Sequence, residues 1–318
     1  MILCVTLNPA LDITHHVPGA DWAGVNRPSQ VRDRPGGKGL NVARVLRALG
    51  ADVLVLGLAG GAAGDEVRAG LETAGVPSRF TPIAGATRRT FTVVDRVRGQ
   101  SASFHEPGPG VAAGEWAEFI VAYEKCLAGC AAAAFSGSLP AGVPEDAYAD
   151  LTGRAVAAGV PVLLDTHGEA LLRGAAAGPA IVKPNLAELE AATGLDLSLP
   201  DGSADHQAVA RAARRLRGAG PEAAVVTLGP AGLWASTRCG TWRAVPPAPV
   251  AGNPVGAGDA VAAGLVHGLV TGRPWEERLR HAVALGSAAV AAPAAGEFRP
   301  EDYEAALAGV VVTQEEDG

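Results

Sequence analysis

Along most of the chain, short apolar runs alternate with longer stretches whose apolar residues recur at helical spacing. That alternation predicts a mostly parallel sheet covered by helices, the α/β class. After a first strand at 2–7, strand-like runs lie at 53–58, 131–135, 160–165, 180–183 and 223–228. Between 39 and 50, Val42, Val45, Leu46 and Leu49 share one face, and Gly50 can take the positive φ that stops a packed helix. Trp116, Phe119, Ile120, Tyr123 and Leu127 make a second such face, read as core rather than as an aromatic binding box.

Two stretches break this rhythm. Residues 10–35 and 86–106 lack a helical period, and within the second, 90–95 and 101–105 flank an Arg-Gly turn in the manner of a hairpin. They are expected to form a small β layer over one edge of a main domain built from 1–9, 36–85 and 107–318, placed as a lid or a dimer contact would be. Residues 314–318 read as an acidic, frayed tail.

Composition narrows the partners. With 48% hydrophobic but only 4% aromatic residues, the chain suits helices packed closely on a sheet. A net charge of −7 argues against nucleic acid or anionic lipid as a partner, so any anion site must be local. Among 26 basic residues the only lysines are Lys38, Lys125 and Lys183, and two of these fall in the motifs below. Cys4, Cys126, Cys130 and Cys239 show no paired metal spacing and are expected as reduced, mostly buried thiols. His15, His16, His105 and His167 carry no ligand spacing either and are assigned to surface or loop positions. No apolar stretch is long enough for a bilayer and the N-terminus has no basic leader pattern, so no membrane partner and a cytoplasmic location are expected.

The most informative stretch is Asn253-Pro254-Val255-Gly256-Ala257-Gly258-Asp259-Ala260-Val261, which runs into a helical pattern at 262–269. Glycines let consecutive N–H groups converge, and a helix N-terminus adds partial positive charge, so together they make an anion hole. Asp259 is there either a helix cap or a chemical group. The loop lacks the Gly-Lys-Ser/Thr ending of a Walker-type NTPase. A dinucleotide fingerprint also fits poorly, because position 261 is Val and 245–249 is a poor central strand. A second glycine turn, Arg34-Pro35-Gly36-Gly37-Lys38-Gly39-Leu40-Asn41, enters another helix. Alone it could be an ordinary helix-entry loop, but two cradles in one chain are what a transfer reaction needs for donor and acceptor.

These two loops, Gly36-Gly37-Lys38-Gly39-Leu40-Asn41 and Gly256-Ala257-Gly258-Asp259, resemble the two signatures of the PfkB family of carbohydrate kinases. Four further blocks agree in order: Leu7-Asn8-Pro9-Ala10-Leu11-Asp12, Ser136-Gly137-Ser138-Leu139-Pro140, Val182-Lys183-Pro184-Asn185 with Glu188, and Thr227-Leu228-Gly229. The resemblance spans nearly the whole chain and is strongest to the branch holding 1-phosphofructokinase and tagatose-6-phosphate kinase. It implies a ribokinase-like, doubly wound, mostly parallel sheet with a small β-sheet lid. It also implies phosphoryl transfer from ATP to a hydroxyl of a ketohexose monophosphate: fructose 1-phosphate, tagatose 6-phosphate or fructose 6-phosphate.

By the same resemblance Asp259 is the general base, and the amides of Ala257, Gly258 and Asp259, after Gly256, hold charge on the transferring phosphoryl. Asp12, Gly36, Gly37, Asn41, Ser136 and Ser138 would meet the sugar. Lys38, Arg88 and Arg27, with Arg89 as a substitute for Arg88, are candidates for its phosphate, which needs charge-assisted donors. Lys183, Thr227, Gly229 and Gly232 would face the nucleotide, with the adenine near 282–287. Mg²⁺ would ride on the ATP phosphates and be reached from Asn185 and Glu188 through water. Asn253 departs from the Asp or Thr often found there, which puts monovalent-cation activation in doubt. Competing expectations are a kinase for an unphosphorylated sugar or nucleoside, and a non-catalytic sugar-phosphate sensor, for which a base at the anion hole has no use. The exposed lid strands suggest a homodimer.

Overall fold

The computed structural model describes residues 1–315. The chain opens with β1 (Ile2–Thr6), then β2 (Ala10–Val17) and β3 (Gln30–Gly36), and reaches α1 (Lys38–Ala48). It continues through β4 (Val53–Ala59), α2 (Gly61–Thr73) and β5 (Ser78–Pro82) to β6 (Arg88–Asp95) and β7 (Gln100–His105). Next come α3 (Ala113–Leu127), β8 (Ala132–Ser136), α4 (Ala147–Ala157), β9 (Val162–Asp165), α5 (Gly168–Ala176) and β10 (Ile181–Val182). After these stand α6 (Leu186–Thr193), α7 (His206–Gly218), β11 (Ala223–Thr227), β12 (Leu233–Thr237) and β13 (Gly240–Val245). The last described elements are α8 (Ala257–Val270), α9 (Trp275–Ala291), α10 (Pro300–Gly309) and β14 (Val311–Glu315).

Ten strands form one sheet in the order β14-β13-β12-β11-β10-β9-β8-β1-β4-β5. From β5 to β11 every pairing is parallel, and β12, β13 and β14 add an antiparallel edge. The alternation of side chains along β1 explains why both faces need cover. Ile2 and Cys4 join the core under α1, α8 and α9, whereas Leu3 and Val5 join the core of α3, α4 and α7 on the other face. A separate four-stranded sheet, β3-β2-β6-β7, comes from the two stretches that lack a helical period. The fold is the ribokinase-like α/β class.

Two sequence expectations need correction, the frayed tail and the mostly buried cysteines. Gln314 and Glu315 are not frayed: β14 pairs antiparallel with β13, and the Gln314 side chain donates to the Cys239 carbonyl at 3.0 Å. The rest of that expected tail, 316–318, lies outside the described residues. Strands β5 and β14 at the sheet margins, and β13 beside β14, lacked a strong period because their side chains are incompletely buried, whereas β12 is buried throughout but is a short run that ends in Ser236 and Thr237. Of the cysteines, all free, Cys4 and Cys126 are buried, Cys130 is half-buried and Cys239 is exposed. No described helix is long and apolar enough to cross a membrane.

The elements that carry the second glycine loop are locked by close packing. A Cβ on Gly264 of α8 would lie 2.7 Å from the Ala282 Cα of α9 and 3.0 Å from Leu285 Cδ1. Backbone cannot yield cheaply there. Gly264→Ala is therefore expected to lose about 1–3 kcal/mol of stability to overpacking, less up to ~1 kcal/mol regained in helix propensity. Urea unfolding measures the net, and a stabilised variant would mean that the two helices can separate freely.

Candidate active site

The parallel strands end on one edge of the large sheet, where an open α/β sheet places its ligands. That edge and the inner face of the second sheet enclose a cleft of about 2600 Å³. β9 ends on Asp165, which is fully buried. Its Oδ1 lies 3.0 Å from Lys38 Nζ, at the first residue of α1, and its Oδ2 lies 3.0 Å from Lys183 Nζ, just past β10. Lys38 Nζ also reaches Glu188 Oε1 at 3.4 Å. Burial alone would raise the Asp165 carboxyl, but the two ammonium groups outweigh it and hold it below the usual carboxylate range. Burial likewise opposes the charge on Lys38, yet Asp165 and Glu188 more than compensate, and its ammonium is held above the ordinary lysine value.

Beside this cluster, the loop after Pro254 turns into α8. Gly256 is the N-cap at φ 87, and a Cβ there would lie 2.6 Å from the Ala295 Cβ, so only glycine fits. Asp259 is the third helical residue and makes no capping bond, which removes the bare-cap reading of this residue. Its Oδ2 instead accepts from Asn41 Nδ2 of α1 at 2.8 Å, while Arg44 Nη1 donates to Asn41 Oδ1 at 3.2 Å and so fixes which way the amide points. Burial first, then the Asp165 charge, push the Asp259 carboxyl up to about 7, against the Asn41 hydrogen bond and the Lys38 and Lys183 charges. The Ala257 and Asp259 amides are bonded to the Pro254 and Gly256 carbonyls, at 3.2 and 3.1 Å. Among the described residues the Gly258 amide has no such bond, and a Cβ on Gly258 would stand 3.7 Å from Lys183 Nζ, in the space before that ammonium.

On the second sheet, Asp12 of β2 stands opposite Arg34 of β3 and Thr90 of β6. Its carboxylate lies over Gly36, where a Cβ would be 2.0 Å from Oδ2. Burial raises the Asp12 carboxyl, opposed by a hydrogen bond from Thr90 and by the charges of Arg88, Arg34 and Arg44. Arg88 makes long hydrogen bonds to the Asn8 carbonyl, at 3.3 and 3.4 Å, and Asn8 Nδ2 donates to Ser138 Oγ at 3.0 Å.

The cleft wall gathers Gly37, Asn41, Arg88 and Ser138 beside Asp12, and Lys183, Asn185, Thr227, Gly229 and Gly232 toward α8. Asn185 and Glu188 form a capping box at the start of α6: Asn185 Oδ1 accepts from the Glu188 amide, and Glu188 Oε2 from the Asn185 amide. Of the expected adenine stretch, Val283, Gly286 and Ser287 line the cleft, whereas Ala282, Ala284 and Leu285 are core.

Other residues fall elsewhere. Arg27 is exposed and away from the cleft, Gly36 is buried beneath Asp12, and Ser136 is fully buried inside β8. Arg89 is exposed, pointing opposite to Arg88 because strand residues alternate. Lys38 is engaged by Asp165 and Glu188 rather than standing open to a phosphate. Asp165, Arg34 and Arg44 were not singled out from sequence. Asp165 had a usable signal: a carboxylate closing the apolar run Val162-Leu163-Leu164 at the carboxyl end of a parallel strand.

Comparison with known proteins agrees with this geometry. The model of the family described as "pfkB family carbohydrate kinase" matches residues 5–302. A 1-phosphofructokinase of Xanthomonas campestris pv. campestris is 35% identical over 315 residues, covering 98% of this chain and 97% of that protein. Phosphofructokinase-2 from Escherichia coli in complex with fructose-6-phosphate superposes with a TM-score of 0.85 at 30% identity, covering 96% of this chain and 98% of that one. A possible 1-phosphofructokinase from Thermotoga maritima gives a TM-score of 0.87 at 25% identity, covering 99% of each chain. Family match, identity and fold coincide over nearly the full length, and the chain belongs to the pfkB family of carbohydrate kinases, enzymes that transfer a phosphoryl group to an alcohol.

Proposed function

We propose that this protein is an ATP-dependent kinase that phosphorylates a hydroxyl of a ketohexose monophosphate, with Asp259 as general base. The observation that carries the reading is the Asn41–Asp259 hydrogen bond, which joins the two glycine loops and holds a buried carboxylate in the cleft that Asp12, its arginines and Gly258 also line. Asn41 occupies Oδ2 and leaves Oδ1 to take the proton of the acceptor hydroxyl. A positioned base of this kind contributes about 10²–10⁴ in rate. The Gly258 N–H, the α8 N-terminus and Lys183 then face the transferring phosphoryl, where fixed donors stabilise the spread charge of a loose transition state.

Among the described residues no group of three or more His, Cys, Asp or Glu side chains is placed to hold a metal ion, and both Glu188 oxygens already have partners. That donor set fits Mg²⁺ carried on the ATP phosphates and reached through water from Asn185 and Glu188. When bound, it would neutralise charge on those phosphates. The second sheet acts as a lid that excludes water, and residues 10–35 and 86–106 are its segments. Its exposed Val31 and Phe104 suit a homodimer, while the E. coli relative is described in a tetrameric inhibited form.

An unphosphorylated acceptor would bring no anion to Arg34, Arg44 and Arg88, whose three positive charges are faced only by Asp12 and Glu297 among the described residues. ADP release from Mg·ATP with fructose, fructose 1-phosphate, fructose 6-phosphate, tagatose 6-phosphate and ribose tests this. Turnover of a phosphosugar, reduced about 10²-fold or more in Asp259→Asn, is expected. Turnover of none, or equal turnover by the variant, would contradict the reading and favour a sensor.

The raised Asp259 carboxyl also has a stability signature. A carboxyl whose folded pKa lies above its unfolded value takes up protons on folding, so its ionisation destabilises the native state as pH rises between the two values. Asp259→Asn removes that penalty. Its melting temperature should overtake the wild type's between about pH 4 and 7 and keep a constant lead above, worth at most about 4 kcal/mol. A lead independent of pH would show that Asp259 titrates normally.

A further inference from the structure

Asp12 is ringed by three arginines, and they are not equivalent. Arg44 is anchored to Asn41 Oδ1 and the Pro35 carbonyl, so it holds the α1 end of the site in place. Among the described residues Arg88 makes only long hydrogen bonds, to the Asn8 carbonyl, beside the charge of Asp12. Arg34 stands across the strand pair from Asp12, lines the cleft, and makes an ion pair at 3.1 Å with Glu297, in the loop between α9 and α10. Both partners of that pair are partly exposed, at 25% and 47%. Such a pair is worth about 0–1 kcal/mol, so a better anion can displace its carboxylate.

The charges around Asp12 say which anion. Arg34, Arg44 and Arg88 carry three positive charges, and Asp12 and Glu297 carry two negative ones. Removing Glu297 from Arg34 leaves an excess that a phosphate dianion fits, with guanidinium forks as its donors. Lys38, the sequence's first candidate for that phosphate, is occupied by Asp165 and Glu188, and Arg27 is outside the cleft. We propose that Arg34 binds the phosphate of the acceptor sugar, and that Glu297 is its placeholder, exchanged for that phosphate on binding. This rests on the phosphosugar-kinase reading above. The acceptor then lies with its phosphate at Arg34 and Arg88, its hydroxyls against Asp12, and its reacting hydroxyl toward Asp259.

The rival explanation is a latch, in which the Arg34–Glu297 pair only ties the second sheet to the loop after α9. The two accounts predict opposite signs. Binding of fructose 6-phosphate, fructose 1-phosphate and tagatose 6-phosphate is measured by calorimetry without nucleotide, on wild type, Arg34→Gln and Glu297→Gln, with fructose as the uncharged control. The best-bound phosphosugar should bind about 10- to 100-fold more weakly to Arg34→Gln, the loss of one charged donor. It should bind about 3- to 10-fold more tightly to Glu297→Gln, from loss of a competing carboxylate. Fructose binding should be unchanged in both, and KM for ATP should not move. Equal weakening in both variants would establish the latch and overturn the proposal, as would unchanged phosphosugar binding by Arg34→Gln. Failure of wild type to bind or phosphorylate any phosphosugar would refute the underlying reading and this proposal with it. Turnover by wild type with no loss in Arg34→Gln refutes the Arg34 assignment alone.

Discussion

The structure turns on a buried carboxylate, Asp165, gripped between Lys38 and Lys183. An isolated ionised carboxylate in that position would be prohibitively costly, and a single partner would leave its second oxygen unmet. Two lysines, at the start of α1 and just past β10, set an ammonium 3.0 Å from each oxygen and in doing so bring the first glycine loop up to the sheet edge. Once that cluster exists, the neighbouring Asp259 feels a negative charge as well as burial, and its carboxyl rises to about 7. Only the Asn41 amide and the two ammonium groups keep it from rising further.

Close approach does the rest. Gly256 lets the loop before α8 pass against Ala295, and a Cβ on Gly296 would lie 2.9 Å from Asn41 Cα, so the loop after α9 lies directly over both cradles. The loop before α8, helix α1 and the second sheet therefore meet within one cleft. Arg34 and Glu297 mark the place where the second sheet touches that loop.

Much of this was legible in the sequence, and the reasons differ by element. The central strands were visible because both faces are buried, which leaves nearly continuous apolar runs such as Val53–Ala59. Strands β12 to β14 were not, because an antiparallel edge mixes Arg243, Gln314 and Thr241 among its apolar positions. The glycine loops announced Asp259 and Asn41, since glycine spacing and helix entry are local features. Asp165 went unweighed because its role depends on two lysines far along the chain, and Lys38 was assigned to a phosphate because sequence cannot show that a nearer carboxylate claims it. Arg89 could not be told from Arg88 without strand register, which decides the face on which each side chain falls, and Arg27 lies in the loop before β3, where no period speaks.

The central claim is that the charge of Asp165 helps set the proton affinity of Asp259, and the pH dependence of kcat/KM on the preferred phosphosugar tests it most directly. In the wild type, activity should rise with pH through an apparent pKa near 7, because the base must be ionised to accept a proton. In Asp165→Asn the residual activity should rise at lower pH, since the repelling charge is gone and the two lysines are freed to favour the Asp259 carboxylate. An unchanged midpoint in that variant, or a flat wild-type profile from pH 5 to 9, would contradict the account.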